Sequence, residues 1–463
     1  MIYKNLLVII LFVFVLVIII RKNNLIENYK SCKVENEDYV LIRPNISNNK
    51  YVLILAEEFW FKTTIINKVT KTEINYLFNK LQQESKYNFI ILKTPFNFIK
   101  TIDKLGKNNI SFIFLFQDII SNSYLNELPM KKIINYCKDL EKNNTIFYPG
   151  IEVTNMFASK KYYKILTDKM KYSILPHSIT LEIKNFNNKN DIESTVLKLY
   201  DISKKMLLKF KKIIIKKGYS YNEQQVTVLN TDVLNNISSF TKRILGLDDK
   251  DYFDTETDAK KWEQNMNRYY IIQGFNNIIS STINEYRVYF INGIPTYVGW
   301  DDETPTQCVS DMDKSKINIY KIRKYKTKKQ LYDYNLINTD IDILEKLSQI
   351  NLEIGNKIIK FSVKVFNDFL KYFWKNKKTK YPILFRIDVS WAEDSLFQDK
   401  YSINIKTLDK KIRLYVNELE IDPSTLLDNQ MVCQTNYQVN TKYIQKELGN
   451  LILNYIQQNT LKS

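Results

Sequence analysis

Residues 381–425 hold two strand-like runs, YPILFRIDVSWAED and KKIRLYVNELEIDPST, joined by a polar spacer. Each carries charged residues at every second position within apolar sequence. A strand sends alternate side chains to opposite faces. Arg386 and Asp388 therefore share one face, with Ile387 and Val389 on the other. Glu418, Glu420 and Asp422 likewise share a face, backed by Leu419 and Ile421. If the runs pair as a hairpin, carboxylates from both strands come together, and like charges held close require a cation. Oxygen donors alone suit Mg²⁺, which takes one or two carboxylates together with phosphate oxygens. The competing reading is an amphipathic hairpin with a solvated acidic face.

The chain has 463 residues, enough for two or three domains, and its hydrophobic fraction of 44% supplies a core. The formal net charge of +18 fits a polyanionic partner such as a nucleotide, a nucleic acid or an acidic membrane. The lysines are scattered, however, which is the pattern of a solvated surface. Four cysteines (Cys32, Cys137, Cys308, Cys433) lie far apart, without CxxC or zinc spacing, and are expected as free thiols. The single histidine, His177, excludes multi-histidine metal sites and follows Pro176 at the start of a strand-like run. No GxSxG is present.

Residues 6–20, LLVIILFVFVLVIII, form an unbroken apolar run between Lys4 and Arg21. No small-residue cleavage site follows, so the reading is an uncleaved single membrane anchor. The excess of Arg21, Lys22, Lys30 and Lys33 over Lys4 places the rest of the chain on the cytoplasmic side. Residues 22–50 read as a polar linker. YVLILA at 51–56, residues 89–92 and SFIFLF at 111–116 read as buried strands. Helical stretches at 71–84 and 129–142 alternate with them, the pattern of an open parallel α/β sheet. A helix is expected over 156–171. IIIKKGYS then ends an apolar strand in lysine before a Gly/Ser loop, an arrangement suited to phosphate. Two further strands include Glu285 and Arg287 on one face, and Asn292-Gly293 forms a type I′ turn. Asp311-Met312-Asp313 is a DxD, though no apolar strand precedes it. A long amphipathic helix, 340–374, leads into the acidic strands.

In this order the segments resemble the ATP-grasp superfamily. SKK followed by ILPHSIT resembles its lysine helix and the strand that follows. IIIKKGYS resembles the second nucleotide lysine and its lid loop, and IIQGF the hinge strand beside adenine. NEYRVYFING resembles the strand bearing the ribose-binding acid. FRIDVSW followed by LYVNELEIDPSTL resembles the magnesium strands. The resemblance implies an α/β chain in parts: an anchor at 1–21, a linker at 22–50, an open parallel α/β domain at 51–175, a lid at 176–280 and a C-terminal mixed-sheet domain at 281–463. The nucleotide cleft would lie between the last two.

By the same resemblance, Asp388, Glu420 and Asp422 would hold Mg²⁺. Lys216, Lys160 or Lys161, and Ser220 would meet the phosphates, Gln273 and Phe275 the base, and Glu285 the ribose. Arg386 and Arg287 would face an acyl phosphate. Gly274 stands where the hinge acid is usual, the lid is glycine-poor, and the choice between Glu418 and Glu420 stays open. The implied activity is an ATP- and Mg²⁺-dependent ligase joining a small-molecule or peptide carboxylate to an amine or thiol, with no nucleic acid involved. The alternatives are a nonreacting nucleotide binder or scaffold, and a membrane-anchored glycosyltransferase using Asp311 and Asp313.

Overall fold

In a computed structural model of the chain, the described residues are 33–35, 39–44, 48–56, 65–66, 73–92, 97–116, 119, 130–169, 175–183, 189–218, 226–231, 236–245, 268–275, 285–301, 318–322, 336–337, 351–374, 381–393, 396, 412–421 and 437–460. Residues 6–20, expected as an anchor, lie outside this set. So do Ser220, Asp311, Asp313 and Asp422. Among the described residues, no helix is long and apolar enough to cross a membrane.

Three sheets organise the molecule. The first contains β1 (Lys33–Glu35), β2 (Tyr39–Ile42), β3 (Tyr51–Leu55), β6 (Asn88–Leu92), β7 (Ile110–Leu115) and β8 (Ile146–Tyr148), in the order β1-β2-β6-β3-β7-β8. β6, β3, β7 and β8 run parallel, while β2 pairs antiparallel with β6. A short hairpin, β4 (Ile65–Ile66) with β5 (Glu73–Ile74), stands apart from these sheets. The central strands are nearly unbroken apolar runs, as expected where both faces of a parallel sheet are covered. Leu53, Leu55, Ile90 and Ile113 meet helices Phe98–Leu105 and Met130–Lys142 through Phe98, Ile102, Ile133 and Cys137. Val52, Ile54, Phe112 and Phe114 face the other way, onto helices Tyr76–Glu84 and Tyr437–Thr460.

Local differences from the sequence reading have local causes. The linker range 22–50 includes β1 and β2, because the apolar run Tyr39–Ile42 buries alternate residues as an added strand. The helix expected at 71–84 starts at Tyr76, where the Asn75 side chain accepts from the Phe78 N–H at 3.1 Å as an N-cap. The helix expected over 156–171 is two helices, Ile151–Ala158 and Tyr162–Lys169. Between them Lys160 adopts φ +57°. The helix expected at 340–374 is described over Asn351–Tyr372.

The second sheet is antiparallel, with β9 (Ser178–Ile183), β10 (Lys212–Lys217), β11 (Val226–Asn230) and β12 (Arg268–Gly274) in the order β11-β10-β12-β9. Ile213, Ile215, Tyr270 and Ile272 pack one face against helices Lys189–Phe210 and Ile237–Leu245. By alternation, Lys216, Ile271, Gln273, Ser178 and Thr180 line the opposite face.

The third sheet has β13 (Glu285–Ile291), β14 (Ile294–Asp301), β15 (Asn318–Ile322), β16 (Leu336–Ile337), β17 (Leu384–Glu393) and β18 (Ile412–Ile421), in the order β16-β15-β14-β13-β17-β18. Every pairing described in it is antiparallel, where a mixed sheet was expected. Its apolar face packs on helix Asn351–Tyr372, with Phe290 stacked on Phe366 at 4.5 Å and Phe385 on Phe369 at 4.3 Å.

The turn between β13 and β14 has φ +49° at Asn292 and +76° at Gly293, as a type I′ turn requires. A Cβ at Gly293 would also lie 2.6 Å from Tyr381 Cγ. Gly293→Ala should therefore destabilise the protein by about 2 kcal/mol or more, combining left-handed strain with a steric clash. A urea titration checks this through the unfolding midpoint, and an unchanged midpoint would contradict it.

Candidate functional site

The cross-strand register of the third sheet builds the site. Arg287 lies opposite Asp388, and Asp388 opposite Glu418. One pair along, Tyr289 lies opposite Arg386, and Arg386 opposite Glu420. These six residues form two parallel rows on the face away from helix Asn351–Tyr372. Between Asp388 and Val389 the register shifts, leaving Asn417 as the extra residue of a β-bulge in β18.

The expected acidic hairpin is present, but its counter-charges come first from the chain itself. Arg386 is buried and donates from Nε and one terminal nitrogen to the two Asp388 oxygens, both at 2.8 Å. Its other terminal nitrogen pairs with Glu420 Oε2 at 2.7 Å. Burial opposes the guanidinium charge, but Asp388 and Glu420 outweigh it and hold the group well above its ordinary pKa. Arg386 is thus held between two carboxylates of the sheet face. Glu418 pairs with Lys160 at 3.2 Å.

The two glutamates differ electrostatically. Burial pushes the Glu418 carboxyl up, yet Lys160, Arg386 and Lys216 hold it at about 2. Burial pushes Glu420 up as well, and there Asp388 and Glu418 add to it, so the carboxyl reaches about 7 despite Arg386 and Arg287. Both side chains still reach open space, at 36% and 42% exposure, whereas Asp388 is 4% exposed.

The second sheet delivers Lys216 to the same place. Its Nζ donates to Asn417 Oδ1 at 3.0 Å and to the Asn417 carbonyl at 3.4 Å. It also donates to the Tyr163 hydroxyl at 3.3 Å. The break between helices Ile151–Ala158 and Tyr162–Lys169 supplies Lys160 and Lys161. Gly218, at the end of β10, lets the strand approach this break: a Cβ there would lie 2.4 Å from the Ser159 carbonyl oxygen. Lys160 and Lys216 therefore reach the charged face of the third sheet at Glu418 and Asn417, on the face that also carries Asp388 and Glu420.

The other expected residues have partners of their own. Lys161 sits 4.0 Å from Glu182 and over the Tyr269 ring at 4.8 Å, so it faces the second sheet. Gln273 is buried and donates to Ser178 Oγ at 2.8 Å. The Phe275 N–H donates to the Lys212 carbonyl at 3.1 Å. Glu285 opens β13 opposite Ser390. Close packing accounts for Gly274, since a Cβ there would lie 3.0 Å from Leu396 and 3.2 Å from Phe210. His177 donates its backbone N–H to the Leu396 carbonyl at 2.7 Å, and its ring lies against Phe210.

Sequence reading passed over Tyr162, Tyr163 and Asn417. The tyrosines stack on each other at 4.7 Å, and their hydroxyls reach β18 at the Leu419 N–H and the Asn417 carbonyl. One signal was available. Val416 and Leu419 both face the apolar side although they are three apart, so a strand holding both must carry a bulge between them.

Among the described residues, no group of three or more His, Cys, Asp or Glu side chains is arranged to hold a metal ion. Mg²⁺ needs fewer, because it is commonly held by one or two carboxylates with phosphate oxygens and water. Asp388 and Glu420, which share Arg386, are two carboxylates of the oxygen-only kind that this requires. Arg386 uses one lone-pair direction on each Asp388 oxygen and leaves another. A cation beside Glu420 would oppose the burial, and the Asp388 and Glu418 charges, that raise its carboxyl.

The linkage has a definite sign. The folded Glu420 value of about 7 lies above the ordinary 4.5, so its favourable contribution is present below pH 4.5. It is lost as pH rises through 7. In the metal-free protein, melting temperature should fall across pH 5–8 more steeply for wild type than for Glu420→Gln. Parallel curves would contradict the assignment.

No family model matches this chain, and no curated protein does. Solved structures do. D-cycloserine synthetase DcsG aligns with 86% of this chain and 99% of its own, at 8% identity and a TM-score of 0.45. D-alanyl-alanine synthetase A from Vibrio cholerae O1 biovar eltor covers 88% and 99%, at 12% identity and TM-score 0.39. The ATP-grasp ligase PsnB, complexed with a minimal precursor, covers 86% and 99%, at 9% identity and TM-score 0.38. At these values the site residues, not the likeness, carry a functional reading.

Proposed function

We propose that this chain is an ATP-grasp-type ligase that uses Mg²⁺ and ATP to join a carboxylate to an amine or thiol. One observation carries the reading: Lys216 from one sheet and Lys160 from the helix break meet the acidic face of another sheet at Asn417 and Glu418. A triphosphate with its divalent ion is a ligand whose charges match both the lysines and the acidic face. Lys216 and Lys160 would exchange their present oxygen partners for phosphate oxygens. Asp388 and Glu420 would hold Mg²⁺, which supplies charge neutralisation at the phosphates. Asp422 and Ser220, beyond the described residues, belong to the same proposal, as do Lys161, Gln273, Phe275 and Glu285 along the nucleotide.

In the reaction, a substrate carboxylate oxygen attacks the γ-phosphorus and ADP leaves. The amine or thiol then attacks the acyl carbon, and inorganic phosphate leaves with the bonding electrons. The chain's part is electrostatic: lysines would offset the repulsion between two anions, and Arg287, opposite Asp388 in register, would meet the acyl phosphate. Arg386 holds the carboxylates in register. Exclusion of water would protect the acyl phosphate from hydrolysis.

ADP release should depend on Mg²⁺, a carboxylate pool and an amine pool together. Lys216→Met and Asp388→Asn should each lower it by about 100-fold or more. Wild-type rates in both variants would remove the site assignment. A nonreacting nucleotide binder is the second reading, favoured by the hold of Arg386 on both Asp388 oxygens. Thermal stabilisation by Mg·ATP, lost in Lys216→Met and without turnover over the same pools, would select it.

The apolar run at residues 6–20 completes the proposal as a membrane tether. The full chain should stay in the membrane pellet through alkaline carbonate extraction, and a chain starting at residue 22 should not. Equal release of both would remove the tether.

A further inference from the structure

We propose that Tyr163 is a positioning residue for Lys216, holding its ammonium at the bulge in β18. The assignment of Lys216 to phosphate rests on the function proposed above; the positioning itself rests on geometry.

An ammonium has three protons, and Lys216 meets three oxygens: Tyr163 OH, Asn417 O and Asn417 Oδ1, at 3.3, 3.4 and 3.0 Å. All three are neutral. The Tyr163 hydroxyl donates its one proton to the Asn417 carbonyl, which has none to give, so it turns a lone pair to Lys216. The same ammonium lies over the Tyr163 ring at 5.5 Å. These neutral oxygens orient the ammonium by hydrogen bonding, while Glu418 acts on it through charge.

Tyr163 is itself immobilised. It is 1% exposed and stacked on Tyr162 at 4.7 Å. Burial first, then Glu418, pushes its phenol well above the ordinary range, so it stays protonated as the arrangement requires. It also follows the helix break that supplies Lys160 by three residues. One tyrosine therefore ties the position of Lys216 to the loop carrying Lys160.

The test begins without nucleotide. Trace labelling with acetic anhydride, read by mass spectrometry, measures the reactivity of each lysine amine. Tyr163→Phe removes one acceptor from the ammonium and should raise Lys216 labelling about tenfold. Tyr162→Phe should raise it far less, since that hydroxyl accepts from the Leu419 N–H and bonds Tyr163 rather than Lys216. Unchanged labelling in Tyr163→Phe, or an equal rise in both variants, overturns the proposal; an equal rise would mean general loosening.

Calorimetry with Mg·ATP gives a second readout. Tyr163→Phe should raise Kd about fivefold in the wild-type background and leave it unaltered in Lys216→Met. Equal weakening in both backgrounds overturns the proposal. If Lys216→Met alone leaves Kd unchanged, the nucleotide reading fails, and the labelling still decides the role of Tyr163.

Discussion

The site depends on one constraint, the antiparallel register of β13, β17 and β18. It fixes Arg386 between Asp388 and Glu420 and sets Glu418 against Asp388. Three carboxylates on one sheet face repel each other, and a buried guanidinium among them makes the face tenable. Removing either partner of such a buried pair leaves an unmatched charge, which is far more costly than removing both. Arg386 therefore sustains the acidic face on which the lysines converge.

Charge balance also explains the unequal glutamates. Glu418 faces Lys160 and Lys216, and its carboxyl is held low. Glu420 shares Arg386 with Asp388, and its carboxyl is pushed up. Two residues of one type, two apart on a strand, thus offer different affinities for a proton or a cation. That inequality comes from tertiary neighbours, since their local sequence environments are alike.

Much of the scaffold was legible because burial imposes periods on sequence. Period two in FRIDVSW and NELEI announced the shared charged face, and the apolar runs at 51–56 and 111–116 announced a covered parallel sheet. Asn292-Gly293 announced its turn through positive φ. Features fixed by distant contacts were not legible. The break at Ser159–Lys161 is set by the close approach of Gly218 and by Glu418, hundreds of residues away for the latter. Tyr163 read as an aromatic in a helix because nothing nearby shows that its hydroxyl meets Asn417. The carboxylates were read as needing a cation because like charges held close repel, and the local sequence does not show that the Arg386 guanidinium reaches two of them at once.

The first sheet is covered on one side by helix Tyr437–Thr460, with Tyr455 packed on Phe114 at 5.6 Å and on Tyr148 at 5.0 Å. Strands synthesised early thus receive their cover only when a segment roughly three hundred residues downstream emerges from the ribosome. Until then Phe112, Phe114 and Tyr148 lack the part of their cover that Tyr455 supplies. Assembly of this molecule is consequently a closing of the chain on itself, and its nascent form has good reason to engage chaperones.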